Sequence, residues 1–155
     1  MATDAQQRQR LGSALVALQF VLMAALAVLA GPAFLGGHAD LPAWALASAG
    51  LALGGWSVHA NRPGNFNIRP LPRAGGRLVT AGPYRWIRHP MYSAVLLGAA
   101  GCAWAAATPW GWIAGAALAL VLAVKASFEE RWLLDAHPGY ADYRRRSWRF
   151  VPGVY

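Results

Sequence analysis

Three long stretches of this chain carry no Asp, Glu, Lys or Arg: residues 11–39, 41–61 and 89–124. A helix that faces water needs a polar side, so runs this long argue against a soluble domain. Each run meets the ~18–20 apolar residues that a bilayer-crossing helix requires. The expected fold class is therefore all-α integral membrane. The length of 155 residues suits a single domain, taken as residues 1–155.

The third run is too long for one crossing. As a single helix it would extend ~54 Å, against a hydrocarbon core of ~30 Å. Thr108-Pro109, with Trp104, Trp110 and Trp112 around it, is the natural point of reversal. About four transmembrane helices follow, at 11–35, 42–60, 90–107 and 110–128, the last two forming a tight helical hairpin. Pro90 suits a first helical turn, where its missing N–H costs nothing. Gly31-Pro32 and Gly36-Gly37 are expected to end the first span. Small residues in the second, among them Gly50, Gly54 and Gly55, permit close helix approach.

The 14 Lys and Arg lie in three places: Arg8 and Arg10, residues 62–88, and residues 125–149. None lies in the connections at 31–42 or 107–111. That pattern predicts both termini on the cytosolic side of a cell (inner) membrane, as a multi-pass protein. The net charge of +8 then reflects topology and attraction to anionic lipid, at about 1 kcal/mol per basic residue near the surface, with no nucleic acid partner implied. The single Cys102 excludes an internal disulfide. The N-terminal run reads as a retained span, with no small-residue cleavage pattern before Gly31-Pro32. Residues 61–89 form a cytosolic loop, kept irregular by Pro63, Pro70, Pro72 and Pro83. A loop of this length is more often functional than a tether. Residues 129–155 form a cytosolic tail that turns at His137-Pro138-Gly139.

The hairpin serves as a ruler. His89 precedes Thr108 by about as many residues as Glu129 follows Pro109, and twenty residues at ~1.5 Å each span ~30 Å. Arg88 and His89, at one helix start, should therefore lie at the same depth as Glu129 and Glu130 near another helix end. A helix start with basic residues suits a carboxylate, and the glutamates suit a cation. The alternatives are a pair of solvated interfacial acids, or an ordinary Lys125–Glu129 ion pair at i,i+4. The sequence has no His/Cys/Asp cluster at metal-ligand spacing, no glycine-rich phosphate loop before a strand and no Ser-His-Asp set.

Several motifs occur in order around this point: Gly76-Arg77-Leu78-Val79-Thr80, Gly82-Pro83-Tyr84, Arg88-His89-Pro90-Met91-Tyr92 and Glu129-Glu130, followed by Leu133, Pro138-Gly139-Tyr140 and Tyr143. Together they resemble the isoprenylcysteine carboxyl methyltransferase family of integral membrane methyltransferases, as a bacterial member; the phospholipid N-methyltransferases are similar. The resemblance covers about residues 61–152. It implies S-adenosyl-L-methionine as cofactor and a lipophilic or amphiphilic small molecule or membrane lipid as methyl acceptor, on carboxylate oxygen or amine nitrogen. It also implies a cofactor site at the cytosolic face, capped by the loop and the tail. By the resemblance, Gly76, Arg77, Leu78, Val79 and Tyr84 border the cofactor, Arg88, His89, Pro90, Met91 and Tyr92 hold it, and Glu129 takes its amino group. Lys125 stands where the family carries a basic substrate-side residue, usually Arg. An amine acceptor would need a base, for which Glu130 and Tyr143 are candidates. No metal site is expected, and the oligomeric state is open.

Two other readings compete. Sterol-type membrane reductases are similar in the C-terminal half and use NADPH, so tighter binding of NADPH than of S-adenosylmethionine in calorimetry would mark a reductase. A non-catalytic protein that docks anionic lipid would bind neither.

Overall fold

The computed structural model describes residues 2–61 and 78–154, so Gly76 and Arg77 lie outside the described residues. Five α-helices follow in order: α1 (Ala2–Leu35), α2 (Leu41–Asn61), α3 (Pro90–Ala106), α4 (Pro109–Ala136) and α5 (Tyr140–Arg145). A 3-10 turn, Gly82–Arg85, precedes α3. No strand forms among the described residues; one isolated parallel bridge joins Ile87 to Trp148.

Among the described residues three helices are long and apolar enough to cross a membrane: Gln9–Leu35 within α1, α2, and α4. The fourth expected span, α3, is a shorter apolar helix of 17 residues. At ~1.5 Å per residue it reaches ~26 Å, slightly less than the hydrocarbon core. Against the expected four or so spans, the described residues form three candidate membrane-spanning helices and this shorter apolar one.

The first span ends at Leu35, before Gly36-Gly37, as expected, but Gly31-Pro32 does not interrupt it. Pro32 lies inside α1, and the helix runs on to Leu35. A proline forfeits one helical hydrogen bond, and membrane helices tolerate that loss where neighbouring groups compensate. The stop comes at Gly37, whose φ of +69° is left-handed. There the Gly37 N–H reaches the Phe34 carbonyl and the His38 N–H reaches the Ala33 carbonyl, a Schellman closure. Asp40 then starts α2, its Oδ1 accepting from the Ala43 N–H at 3.2 Å. Its Oδ2 accepts from Trp104 Nε1 at 2.9 Å, which ties the end of α3 to this turn. Thr108 caps α4 by accepting from the Gly111 N–H, so the reversal occurs where the sequence placed it.

The short α3 sits at the centre, packed on α1, α2 and α4. Leu26, Ala99, Ala103, Leu118 and Leu122 form the buried core between α1, α3 and α4. Outward residues such as Val28, Leu51 and Leu120 are exposed apolar side chains, as lipid contact requires. On its other side α3 meets α2 through glycine. A methyl group at Gly50 would lie 2.8 Å from the Ala94 carbonyl oxygen, and one at Gly101 would lie 2.9 Å from that of Ala43. The backbones touch directly at both points.

Gly101→Ala and Gly50→Ala are expected to push α2 from α3 and to cost about 1–3 kcal/mol each. Gly55→Ala, which meets nothing within 4 Å, should not lower stability. Thermal unfolding of the three variants in detergent measures the difference.

Candidate functional site

The approach to α3 is set by Gly82. Its φ is +59°, and a Cβ there would lie 2.8 Å from the Ala60 Cβ and 3.3 Å from Trp56 Nε1. Glycine is required for both reasons, and it seats the 3-10 turn on the end of α2. Pro83 closes the turn by accepting from the Trp86 and Ile87 N–H groups. The chain then runs beside the C-terminal tail. Arg88 N–H donates to the Trp148 carbonyl at 2.7 Å, and His89 N–H to that of Arg149 at 3.1 Å. Ser93 Oγ donates to the Phe150 carbonyl at 2.6 Å, and Tyr143 OH to that of Tyr84 at 2.6 Å. The tail thereby occupies N–H groups at the start of α3 that the sequence reading had left open to a ligand.

At the centre of this junction lies Glu130. Its Oε1 accepts from Arg88 Nε at 2.9 Å and faces His89 Nε2 at 3.2 Å. Arg149 reaches both oxygens, with Nε 3.2 Å from Oε1 and Nη2 3.1 Å from Oε2. Arg144 adds a 3.6 Å contact to Oε2 from a half-exposed side chain, where screening makes it weak. The Glu130 side chain is only 3% exposed. Arg88 also donates to the backbone carbonyls of Arg144 and Ser147. A carboxylate so surrounded by cations is held as the anion and is a poor proton acceptor. The geometry suits Glu130 to anchoring rather than to the base role that the sequence had suggested. Tyr143 is likewise engaged with Tyr84, and burial raises its pKa above the ordinary phenol value.

Glu129 is placed differently. Its side chain is 19% exposed; Oε2 lies 3.3 Å from His89 Nδ1 and Oε1 accepts from Tyr92 OH. The two ring nitrogens of His89 therefore face two different carboxylates, and both contacts become hydrogen bonds only when the ring carries both protons. Burial by itself lowers the His89 pKa, but the hydrogen bonds to Glu129 and Glu130 prevail and hold it above the usual 6.5. The ring stacks on Tyr92 at 5.4 Å and 7°, with Phe150 tilted against both. Tyr84 is half-buried nearby; burial and the Glu129 charge push its phenol to about 12.

Of the expected site residues, Arg88, His89, Tyr92, Glu129 and Glu130 converge directly, with Tyr84 in the electrostatic range of Glu129. Pro90 is buried as the first residue of α3, while Leu78, Val79 and Met91 are half-buried. Lys125 is buried one helical turn before Glu129. It forms no i,i+4 ion pair there; Nζ donates to Gln19 Oε1 at 2.6 Å and lies 5.1 Å from the Tyr92 ring centre. Four contributors were not foreseen: Arg149, Ser147, Phe150 and Gln19. Gln19 left a signal, as the one amide side chain among residues 11–39. Among the described residues no group of His, Cys, Asp and Glu is placed to hold a metal ion.

The family model described as phospholipid methyltransferase matches residues 44–138, more than half of the chain. The cobalt-zinc-cadmium resistance protein CzcN of Cupriavidus metallidurans is 37% identical over 81 residues, covering 52% of this chain and 38% of that protein. The chain thus spans well under two thirds of the length of this curated relative.

Glu130→Ala would strand Arg88 and Arg149 without their buried partner, and should cost about 3–5 kcal/mol in thermal or denaturant unfolding. The His89 contribution has the opposite pH sense to that of an acid. Its folded pKa is raised, so its stabilisation is full below the ordinary 6.5 and is lost as pH rises through the raised value. Unfolding midpoints followed upward from pH 6 should fall more in the wild-type protein than in His89→Gln.

Proposed function

The chain belongs to the phospholipid methyltransferase family, and from that premise we propose that it is an S-adenosylmethionine-dependent methyltransferase acting on a lipophilic or amphiphilic acceptor at the cytosolic membrane face. The observation that carries this reading is Glu129. It is a carboxylate at the membrane edge of a helical bundle, steadied by His89 and Tyr92 yet still partly open. Such a group suits an ammonium ligand, and its neighbour Glu130 is already committed to Arg88 and Arg149.

Bound S-adenosylmethionine supplies a methyl group on a sulfonium centre, ready for in-line displacement. The chain's own residues bind, orient and exclude water, which is most of what such a transfer needs. Glu129 takes the amino group. Tyr84 and Tyr92 flank it, and the half-buried Leu78, Val79 and Met91 offer apolar surface to the nucleoside. Gly76 and Arg77 belong to the same proposed border. Arg88, His89, Glu130 and Arg149 act as the frame that fixes Glu129, and Lys125 stands one helical turn further into the bundle, on the acceptor side. A carboxylate acceptor leaves no proton to remove. An amine acceptor does, and its transfer requires a base besides Glu129, which the cofactor's ammonium occupies.

The distribution of Lys and Arg supports both termini on the cytosolic side of the inner membrane; a water-soluble donor then reaches the site from the cytosol and a lipid acceptor from the bilayer. Protein in nanodiscs, given labelled S-adenosylmethionine and a total lipid extract, should label a lipid product. Glu129→Gln and His89→Ala should lower the rate by about 100-fold, the scale of a displaced reactant. Unchanged rates in both variants would refute the site assignment.

A further inference from the structure

Helix α1 lies outside the segment that matches the family model, yet it sends a polar group into the bundle. Gln19 is 8% exposed and Lys125 1% exposed, and they are joined at 2.6 Å. An ammonium inside a membrane bundle is costly and is normally paired with an acid. Among the described residues no carboxylate lies within ion-pair distance of Lys125. It is held by a neutral carbonyl oxygen on one side and the face of Tyr92 on the other. Neither cancels the charge, Glu129 acts on it only through space from beyond ion-pair distance, and an ammonium has three N–H donors, of which Gln19 takes one. Tyr92 is shared: it carries Lys125 on its ring and donates its hydroxyl to Glu129. The position of the ammonium is therefore set relative to the proposed donor-binding carboxylate.

We propose that Gln19 is a positioning residue that fixes the Lys125 ammonium, uncancelled, to receive the anionic oxygen of the acceptor headgroup. The inference rests on the methyltransferase reading and extends it to an acceptor that bears a carboxylate or a phosphate. A neutral partner is the suitable choice for this task. A carboxylate at position 19 would neutralise the lysine, whereas an apolar residue would leave it unplaced.

The test uses the full chain in nanodiscs, with initial rates of labelled-methyl transfer measured against rising total lipid extract at saturating S-adenosylmethionine. Gln19→Met keeps the side-chain volume and removes the carbonyl. It should raise the apparent KM for the extract about tenfold, the scale of one hydrogen bond to a charged group, with kcat and the calorimetric affinity for S-adenosylmethionine near wild type. Gln19→Glu should also raise KM, although a purely structural contact would be kept or strengthened by it. In a Lys125→Met background, Gln19→Met should add nothing further. Mass spectrometry of the product separates a methyl ester from a methylated phospholipid. Equal costs with and without Lys125, rescue by Gln19→Glu, or donor affinity falling in step with rate would each overturn the inference. Absence of transfer by the wild-type protein would sink the methyltransferase reading itself, whereas transfer with additive costs would sink this inference alone.

Discussion

A single buried carboxylate, that of Glu130, gathers the parts of this molecule that would otherwise be independent. Arg88 arrives from the loop before α3, His89 from the cap of α3, and Arg149 from the tail. Removing a charge from water costs several kcal/mol, and geometry of this kind is what repays it. Because each oxygen is approached by more than one donor, loss of any one contact weakens the alignment of the others. The network is thus a specification of arrangement more than a source of net stability. It decides that loop, helix start, helix end and tail come together at one level.

The two adjacent glutamates show how one residue's displacement along a helix changes its use. Glu130 is turned inward and saturated; Glu129, a step earlier, keeps a partly open edge and shares His89 with its neighbour. His89 couples them, since its two ring nitrogens face the two carboxylates. The same ring stacks on Tyr92, which reaches Glu129 by its hydroxyl and Lys125 by its face. The site is a chain of contacts running from the tail, through the imidazole, into the apolar interior.

The bundle supplies the depth at which this happens. Close backbone contact at Gly50 and Gly101 fixes α3 on α2, and the Asp40–Trp104 bond holds the opposite end of α3. With both anchored, α3 cannot slide along α2, and the Thr108 cap sets where α4 begins beside it. Helix α1 closes the remaining side and brings Gln19 against Lys125. Thus the segment outside the matched family region also shapes the interior next to the site.

Much of this was legible in the chain itself. Uncharged runs of bilayer length dictate helices, because backbone groups in hydrocarbon must be satisfied locally. Thr108-Pro109 marks the reversal, and helical rise alone then sets Arg88-His89 level with Glu129-Glu130. Local periodicity could not say which glutamate faces inward, since that depends on how α4 is rotated against α3. Nor could it reveal that the tail pairs with residues 86–89, that Arg149 enters the carboxylate network, or that Lys125 turns to α1 instead of to Glu129. Gly36-Gly37 marks the end of the first span in the sequence and the closure falls there, whereas whether Pro32 interrupts the helix depends on the groups packed around it. The sequence determined elements, depth and charge, which follow from residue type and rise per residue. Tertiary structure decided partners, because a charged group in an apolar interior takes whichever dipole the packing brings within reach.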